Sequence, residues 1–149
     1  MNLNKMTTAL LAGFLTLSFA APVWADTALS NDEAIAKRQE LMKSNGQTLR
    51  AAGSATGDAA VAGAQTLVDN FTALDDDTLW PEGSVGGESE ALLTVWTDNA
   101  GFKASMSEAL DTASAFLVAA QSGDAAAYGA AAKAMGASCG SCHDTYKMP

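Results

Sequence analysis

Cys139, Cys142 and His143 are the residues of this chain whose types and spacing point most directly to chemistry; they include both of its cysteines and its single histidine. On a helix these positions are i, i+3 and i+4, so the three side chains share one face. The Cys-x-x-Cys-His pattern is typical of haem attachment, in which the thiols form thioethers with the vinyl groups and the imidazole reaches the iron. The small residues Gly140 and Ser141 let the porphyrin edge approach the backbone. We predict one covalently bound haem c per chain, attached through Cys139 and Cys142, with His143 as an axial iron ligand.

Three other kinds of site use such residues, and each fits less well. A structural zinc site needs four ligands, whereas the chain has only these two cysteines and one histidine. A thioredoxin-like pair lies at a helix N-terminus after a strand, and here a helical pattern precedes the pair. A plain disulfide leaves the adjacent histidine without a role. Haem attachment is therefore the favoured interpretation.

The first 25 residues are typical of a secretory signal peptide. Lys5 is their only charge, an apolar run covers residues 9–21, and Val23-Trp24-Ala25 ends in a small residue suited to cleavage. The run is shorter than the roughly 20 residues of a membrane-spanning helix, although an uncleaved anchor is the alternative. We predict that residues 1–25 are removed and that residues 26–149 form one domain in the periplasm, without stable membrane insertion.

The charge of the chain is acidic, with a formal net charge of −9. Removal of residues 1–25 takes away Lys5 and no acidic residue, which leaves seven basic and seventeen acidic side chains. Nucleic-acid binding requires basic surfaces, so no nucleic-acid partner is expected. An acidic surface instead favours docking to a basic patch on a redox partner protein.

Apolar residues recur at three- and four-residue steps in four stretches, and no stretch alternates as a β-strand does. The first stretch begins at Ser30 and Glu33, which have the spacing of a capping box. Asp58 is expected to cap the second helix. The third is the longest, from about residue 90 to residue 121, with Gly101 marking a kink near its start. This pattern predicts an all-α fold, with the helix seams of an antiparallel bundle.

The fourth helix is expected to begin after a Gly123 stop and an Asp124 cap. Its apolar seam continues through Cys139 and Cys142, which places the cofactor inside the bundle. The long loop before the third helix contains Trp80, which is expected to cover the core.

The segment 139–147, Cys-Gly-Ser-Cys-His-Asp-Thr-Tyr-Lys, resembles the C-terminal motif of class II c-type cytochromes, the cytochrome c prime family. Matching pieces lie in the first helix, at Arg38-Gln39-Glu-Leu-Met42, and in the third, at Val95-Trp96 with Phe102. The resemblance covers the whole mature chain. It implies an up-down-up-down four-helix bundle with covalently attached haem.

The resemblance also implies a role for Met42, which stands where the family has the residue on the distal side of the haem. Three interpretations stay open. The thioether binds iron, as in six-coordinate low-spin members that carry electrons; or it only crowds the iron, as in five-coordinate members that bind NO or CO; or Met42 fills the core. Methionine and histidine ligation raises the reduction potential, which suits electron transfer. We favour ligation.

Five further residues are expected around the haem from the same resemblance. Arg38 is implied as a propionate or distal-pocket cation, the alternative being a surface charge on the helix. Lys147 is implied beside the proximal His143, the alternative being a last-turn cation that complements the helix dipole. The remaining three are aromatic side chains that pack on the haem: Trp96, Phe102 and Tyr146.

Electron transfer is the function we favour from sequence, and gas binding or slow NO reduction is the alternative. An enzyme with its own substrate is not expected, because the only histidine is committed to iron and no general base or nucleophile constellation is visible. Expected partners are redox proteins, NO or CO, and a second copy of the chain, since dimers are common in the family that it resembles.

Overall fold

Four long helices form an antiparallel bundle in the computed structural model, which describes residues 28–149. The predicted signal peptide, residues 1–25, lies outside the described residues. A short helix and a 3-10 turn lie in the long connection between the second and third bundle helices. The α-helices are α1 (Asn31–Ala52), α2 (Gly57–Leu74), α3 (Thr94–Thr97), α4 (Asn99–Ser122) and α5 (Ala125–Tyr146). The predicted all-α four-helix bundle is confirmed, with α1, α2, α4 and α5 as its members.

Two helix starts agree with the sequence prediction. At α1 the capping box is complete: Glu33 N donates to Ser30 Oγ at 3.3 Å, and Ser30 N donates to Glu33 Oε2 at 2.9 Å. Before α5, Gly123 has the left-handed φ of +70° that ends a helix. The Asp124 carboxylate then accepts hydrogen bonds from the backbone N–H groups two and three residues further on, at 2.8 and 3.1 Å. These ends are determined locally, which is why the sequence alone located them.

The start of α2 differs from the prediction. The helix begins at Gly57, one residue before Asp58, and its N-cap Thr56 makes no side-chain cap hydrogen bond. Asp58 instead lies in the first turn, where its negative charge interacts favourably with the helix dipole. The expectation that Asp58 is the N-cap was therefore wrong by two positions.

The third bundle helix also starts later than predicted, at Asn99 rather than near residue 90. Residues 90–92 instead pair with the end of the chain: Leu92 N donates to Tyr146 O at 2.9 Å, and Met148 N donates to Glu90 O at 2.8 Å. These long-range hydrogen bonds compete with the helical ones and leave only the short α3 before α4 begins.

Gly101 does not mark a kink inside a long helix, because it lies in the first turn of α4. Its N–H donates to the Asp98 carboxylate at 3.3 Å, and Tyr146 Oη donates to the same carboxylate at 2.8 Å. A Cβ at position 101 would lie 2.6 Å from Tyr146 Oη. A side chain at position 101 would therefore displace the Tyr146 hydroxyl or the Asp98 carboxylate.

The helices pack unevenly around the core. Contacts are extensive between α1 and α2, between α2 and α4, and between α4 and α5, whereas α1 and α5 touch only sparsely. The largest fully buried side chains come mainly from the well-packed sides: Phe116, Leu67, Leu74, Met106, Met135 and Val95. The α1–α5 side is thus the open side of the bundle. Within residues 28–149, no helix has both the length and the apolar character needed to cross a membrane.

Candidate haem site

A cavity of about 370 Å³ lies on this open side of the bundle, between α1 and α5. Arg38 and Met42 line it from α1, and Cys142, His143 and Tyr146 line it from α5. Its volume falls within the roughly 300–1,000 Å³ of small-molecule and cofactor sites. Cys142 and His143, two of the three residues that the motif predicts to hold haem, therefore border a space of suitable size.

A second cavity of about 130 Å³ borders the same residues. Met42, Cys142 and His143 line both cavities, and Cys139 and Asn45 line the second one alone. Met42 on α1 thus lies across the α1–α5 gap from the three motif residues on α5, Cys139, Cys142 and His143. We call these two cavities together the haem cavity.

The ionisation of the motif residues suits ligation rather than thiol redox chemistry. Burial raises the pKa of the Cys139 thiol, and burial followed by the neighbouring Cys139 raises the pKa of Cys142. A raised thiol pKa is opposite to that of reactive redox cysteines. Burial, followed by the positive charge of Lys147, lowers the pKa of His143. The imidazole is therefore neutral at pH 7, which is the form that binds metals.

Arg38 lies in the wall of the haem cavity and is only 5% exposed. Its Nη1 donates to Leu79 O at 2.8 Å and to Ser84 Oγ at 2.7 Å. Its Nη2 donates to Ser84 O at 2.8 Å and to Ser89 Oγ at 3.3 Å. The guanidinium also lies 4.6 Å from the centroid of the Trp80 ring, a cation–π contact. Arg38 therefore ties α1 to the connection that closes one side of the haem cavity.

The charge of Arg38 has no carboxylate within ion-pair distance in the part of the chain that the structure describes. Burial lowers the pKa of Arg38, but a guanidinium stays protonated in proteins. A buried cation without a counter-ion favours an anion nearby. Its predicted role toward a haem propionate stays a prediction; the alternative of a surface charge does not agree with its burial.

We expect Arg38→Leu to lower the free energy of unfolding by about 3 kcal/mol, because it leaves several buried carbonyl and hydroxyl acceptors unpaired. Arg38→Lys keeps the charge but lacks the planar fork, so it should recover less than half of that loss. Urea unfolding followed by circular dichroism measures both. An Arg38→Leu protein as stable as the wild type would contradict the role of Arg38 in holding the connection.

Three aromatic rings form a continuous wall of the haem cavity. Trp80 and Phe102 pack edge to face with centroids 4.6 Å apart, and Phe102 and Tyr146 do the same at 5.3 Å. Phe102 and Tyr146 line the cavity, and their predicted packing on the haem stays a prediction. Trp96 does not line the cavity; its Nε1 donates to Trp80 O at 3.0 Å and so supports the wall from behind.

Lys147 lies at the edge of the haem cavity, next to His143 as predicted. Its Nζ forms an ion pair with the exposed Glu90 carboxylate at 3.2 Å. Such exposed pairs contribute roughly 0–1 kcal/mol, so this one adds little to the pairing of residues 90–92 with the end of the chain. The positive charge of Lys147 also acts on His143, where it disfavours protonation of the imidazole.

Sequence reasoning did not place Trp80 or Asn45 at the haem cavity. The sequence predicts that Trp80 covers the core, but Trp80 lies in a loop, where no periodicity indicates which side chains line a cavity. Asn45 falls on the core stripe of α1, and its Nδ2 is buried without a hydrogen-bond partner in the described part of the chain. A polar residue on an apolar helix stripe was the available signal for Asn45.

Comparison with known proteins identifies the family. The family model for cytochrome c′ matches residues 33–147. The chain belongs to the cytochrome c′ family. Proteins of this family bind covalently attached haem c, which confirms the predicted cofactor. The residues present fit it: two thiols and a neutral imidazole border an aromatic-walled cavity, which Asn45 also lines.

Individual relatives agree with this assignment. Cytochrome c′ from Rhodospirillum rubrum is 38% identical over 69 residues, 46% of this chain and 47% of that protein. The matched segment thus spans about half the length of that relative. The solved cytochrome c′ of Thermochromatium tepidum has the same fold, with a TM-score of 0.75 and 21% identity over 82% of this chain and 99% of its own. Cytochrome c prime from Alcaligenes xylosoxidans, solved with bound NO, is 28% identical with a TM-score of 0.69 over 80% of this chain and 97% of its own.

Proposed function

We propose that this cytochrome c′ family member is a periplasmic electron-transfer protein whose haem c is attached to Cys139 and Cys142, with His143 and Met42 as the two axial ligands. The bound haem supplies a reversible one-electron couple at its iron. The protein residues hold and surround this couple, and no substrate of its own is required.

The position of Met42 is the observation that carries this proposal. It lies on α1, across the gap from α5, and borders both cavities together with His143. A haem bound in this gap would be held by His143 from the α5 side, and Met42 could bind its iron from the α1 side. The thioether of methionine is an established haem ligand that favours a high reduction potential.

In this proposal, the residues around the haem cavity favour electron transfer. The aromatic wall of Trp80, Phe102 and Tyr146 covers one side of the site. Arg38 contributes a fixed positive charge nearby, which favours the reduced and less positive state of the iron. The acidic composition suits transient docking to a basic redox partner.

The proposal is tested by the absorption and electron paramagnetic resonance spectra of the purified ferric protein. We expect a low-spin spectrum, with the weak sulfur-to-iron charge-transfer band of methionine ligation at the red end of the visible range. A purely high-spin ferric protein would overturn methionine ligation.

Binding of NO or CO is the second candidate function. The NO complex solved for the Alcaligenes xylosoxidans relative supports it. If Met42 only borders the iron without binding it, the haem cavity offers a diatomic ligand an accessible distal side. A high-spin ferric spectrum together with rapid CO binding to the ferrous protein would therefore favour this second function over electron transfer.

A further inference from the structure

Asn45 carries a buried amide whose hydrogen bonding is only half complete. It lies on α1 three residues after Met42 and is 5% exposed. Its Oδ1 accepts a hydrogen bond from Asn70 Nδ2 on α2 at 2.8 Å. Its Nδ2 has no partner among residues 28–149. A buried donor left unpaired pays its full desolvation cost, so this N–H requires an acceptor close by.

Asn70 determines which end of the Asn45 amide faces the cavity. Asn70 Nδ2 is itself shared between Asn45 Oδ1 and Ser44 Oγ, at 2.8 and 3.0 Å. Because the oxygen of Asn45 is held on the α2 side, the nitrogen is the end left for the cavity of about 130 Å³ that Asn45 lines with Met42 and His143. Most other residues that line this cavity are apolar, among them Leu49, Leu67, Phe71 and Met106.

We propose that Asn45 is a positioning residue for Met42, and that its Nδ2–H donates a hydrogen bond to the thioether sulfur while that sulfur binds the iron. This inference rests on the proposed function. Residues three apart on a helix are neighbours, with Cβ atoms roughly 5–6 Å apart. The thioether is a weak acceptor, and the flexible methionine side chain can bring it to the donor.

The expected consequence follows from the two lone pairs of the sulfur. A hydrogen bond to one lone pair leaves the other for the iron, so the donor selects a single orientation of the methionine ligand. Hydrogen bonds of this kind orient metal ligands and tune the metal in other proteins. Asn45 would therefore hold one ligand geometry, and its loss would permit two.

Ser138 is the competing acceptor for Asn45. It lies on α5, is 9% exposed and lines the same cavity. A hydrogen bond from Asn45 to Ser138 would satisfy the amide without involving the sulfur. Ser138→Ala therefore serves as the matched control, because it removes this acceptor and leaves Met42 unchanged.

The experiment compares the ferric holoprotein with its Asn45→Leu variant, which keeps the branching of the side chain and removes the donor. In the proton NMR spectrum we expect the haem methyl resonances to move from the pattern of one fixed methionine orientation toward an averaged pattern. We also expect the sulfur-to-iron band to shift, and imidazole to displace Met42 with about fivefold higher affinity, the effect of one net hydrogen bond.

Two variants keep the test decisive. Asn70→Ala retains the donor but frees the amide to rotate, so it should change the methyl pattern in the same direction and by less, and it reports on the contact should Asn45→Leu not fold. Ser138→Ala should change all three readouts less than Asn45→Leu does, because it leaves the Asn45 donor in place. A low-spin wild type whose methyl pattern and sulfur band are unaffected by Asn45→Leu would overturn this inference alone. A high-spin wild type would overturn it together with methionine ligation.

Discussion

Replacing both cysteines, as Cys139→Ala with Cys142→Ala, is expected to abolish covalent haem attachment completely. Each thioether requires one thiol, and the chain has no other cysteine to substitute. The measurement is haem staining after denaturing gel electrophoresis of protein expressed in the periplasm with the c-type maturation machinery. The wild type should give a stained band at the size of the chain, and the double variant should give none.

Ser141→Ala is the matched control for this experiment. It lies between the two cysteines, is exposed, and supplies no ligand. It should retain full haem staining, and each single cysteine variant should retain part of it through the remaining thioether. Haem that stays attached to the double variant would contradict the assignment of this motif and the whole site with it.

The bundle helices could be predicted because their signals are local. In the third bundle helix, six residues recur at steps of four and three along the sequence, and all six are buried: Phe102, Met106, Ala109, Ala113, Phe116 and Ala120. Caps such as Ser30 and Asp124 involve partners only two or three residues away. Helical periodicity and capping chemistry therefore suffice for these elements without any knowledge of the tertiary structure.

The connection between α2 and α4 could not be predicted for the opposite reason. Its conformation depends on the Arg38 guanidinium, which binds residues more than 40 positions away, and on pairing with the end of the chain. The sequence near residue 90 predicts the start of a helix, but in the structure residues 90–92 form hydrogen bonds with the end of the chain instead. Trp80 became part of the cavity wall through the same long-range contacts.

The residues of the candidate site also differ in whether local sequence signals predict them. Cys139, Cys142 and His143 share one face of a single helix, so their spacing alone placed them together. Met42 lies on another helix about a hundred residues earlier, and only family resemblance suggested its role. The structure adds the physical relation between them, since α1 and α5 are the one neighbouring pair of bundle helices that packs sparsely.

Replacing Met42 by leucine is expected to convert the ferric protein from low spin to high spin. Leucine has nearly the same volume, so the core of α1 stays filled and the loss of the thioether is the main change. The reduction potential should fall by roughly 0.1–0.3 V, because the thioether favours ferrous iron and axial ligands set haem potentials over a span of about 0.8 V. Electron paramagnetic resonance and redox titration measure the two effects, and the ferrous variant should bind CO readily.

The control is Met106→Leu, since Met106 is a buried methionine on α4 that borders only the smaller cavity. The same chemical change at that position should leave the spin state and the potential as in the wild type. If Met106→Leu rather than Met42→Leu produces the high-spin protein, the sixth ligand comes from α4. If neither variant changes a low-spin wild type, iron ligation by methionine from the cavity walls is wrong. Only the loss of low-spin character at Met42 alone agrees with an iron bound by both Met42 of α1 and His143 of α5.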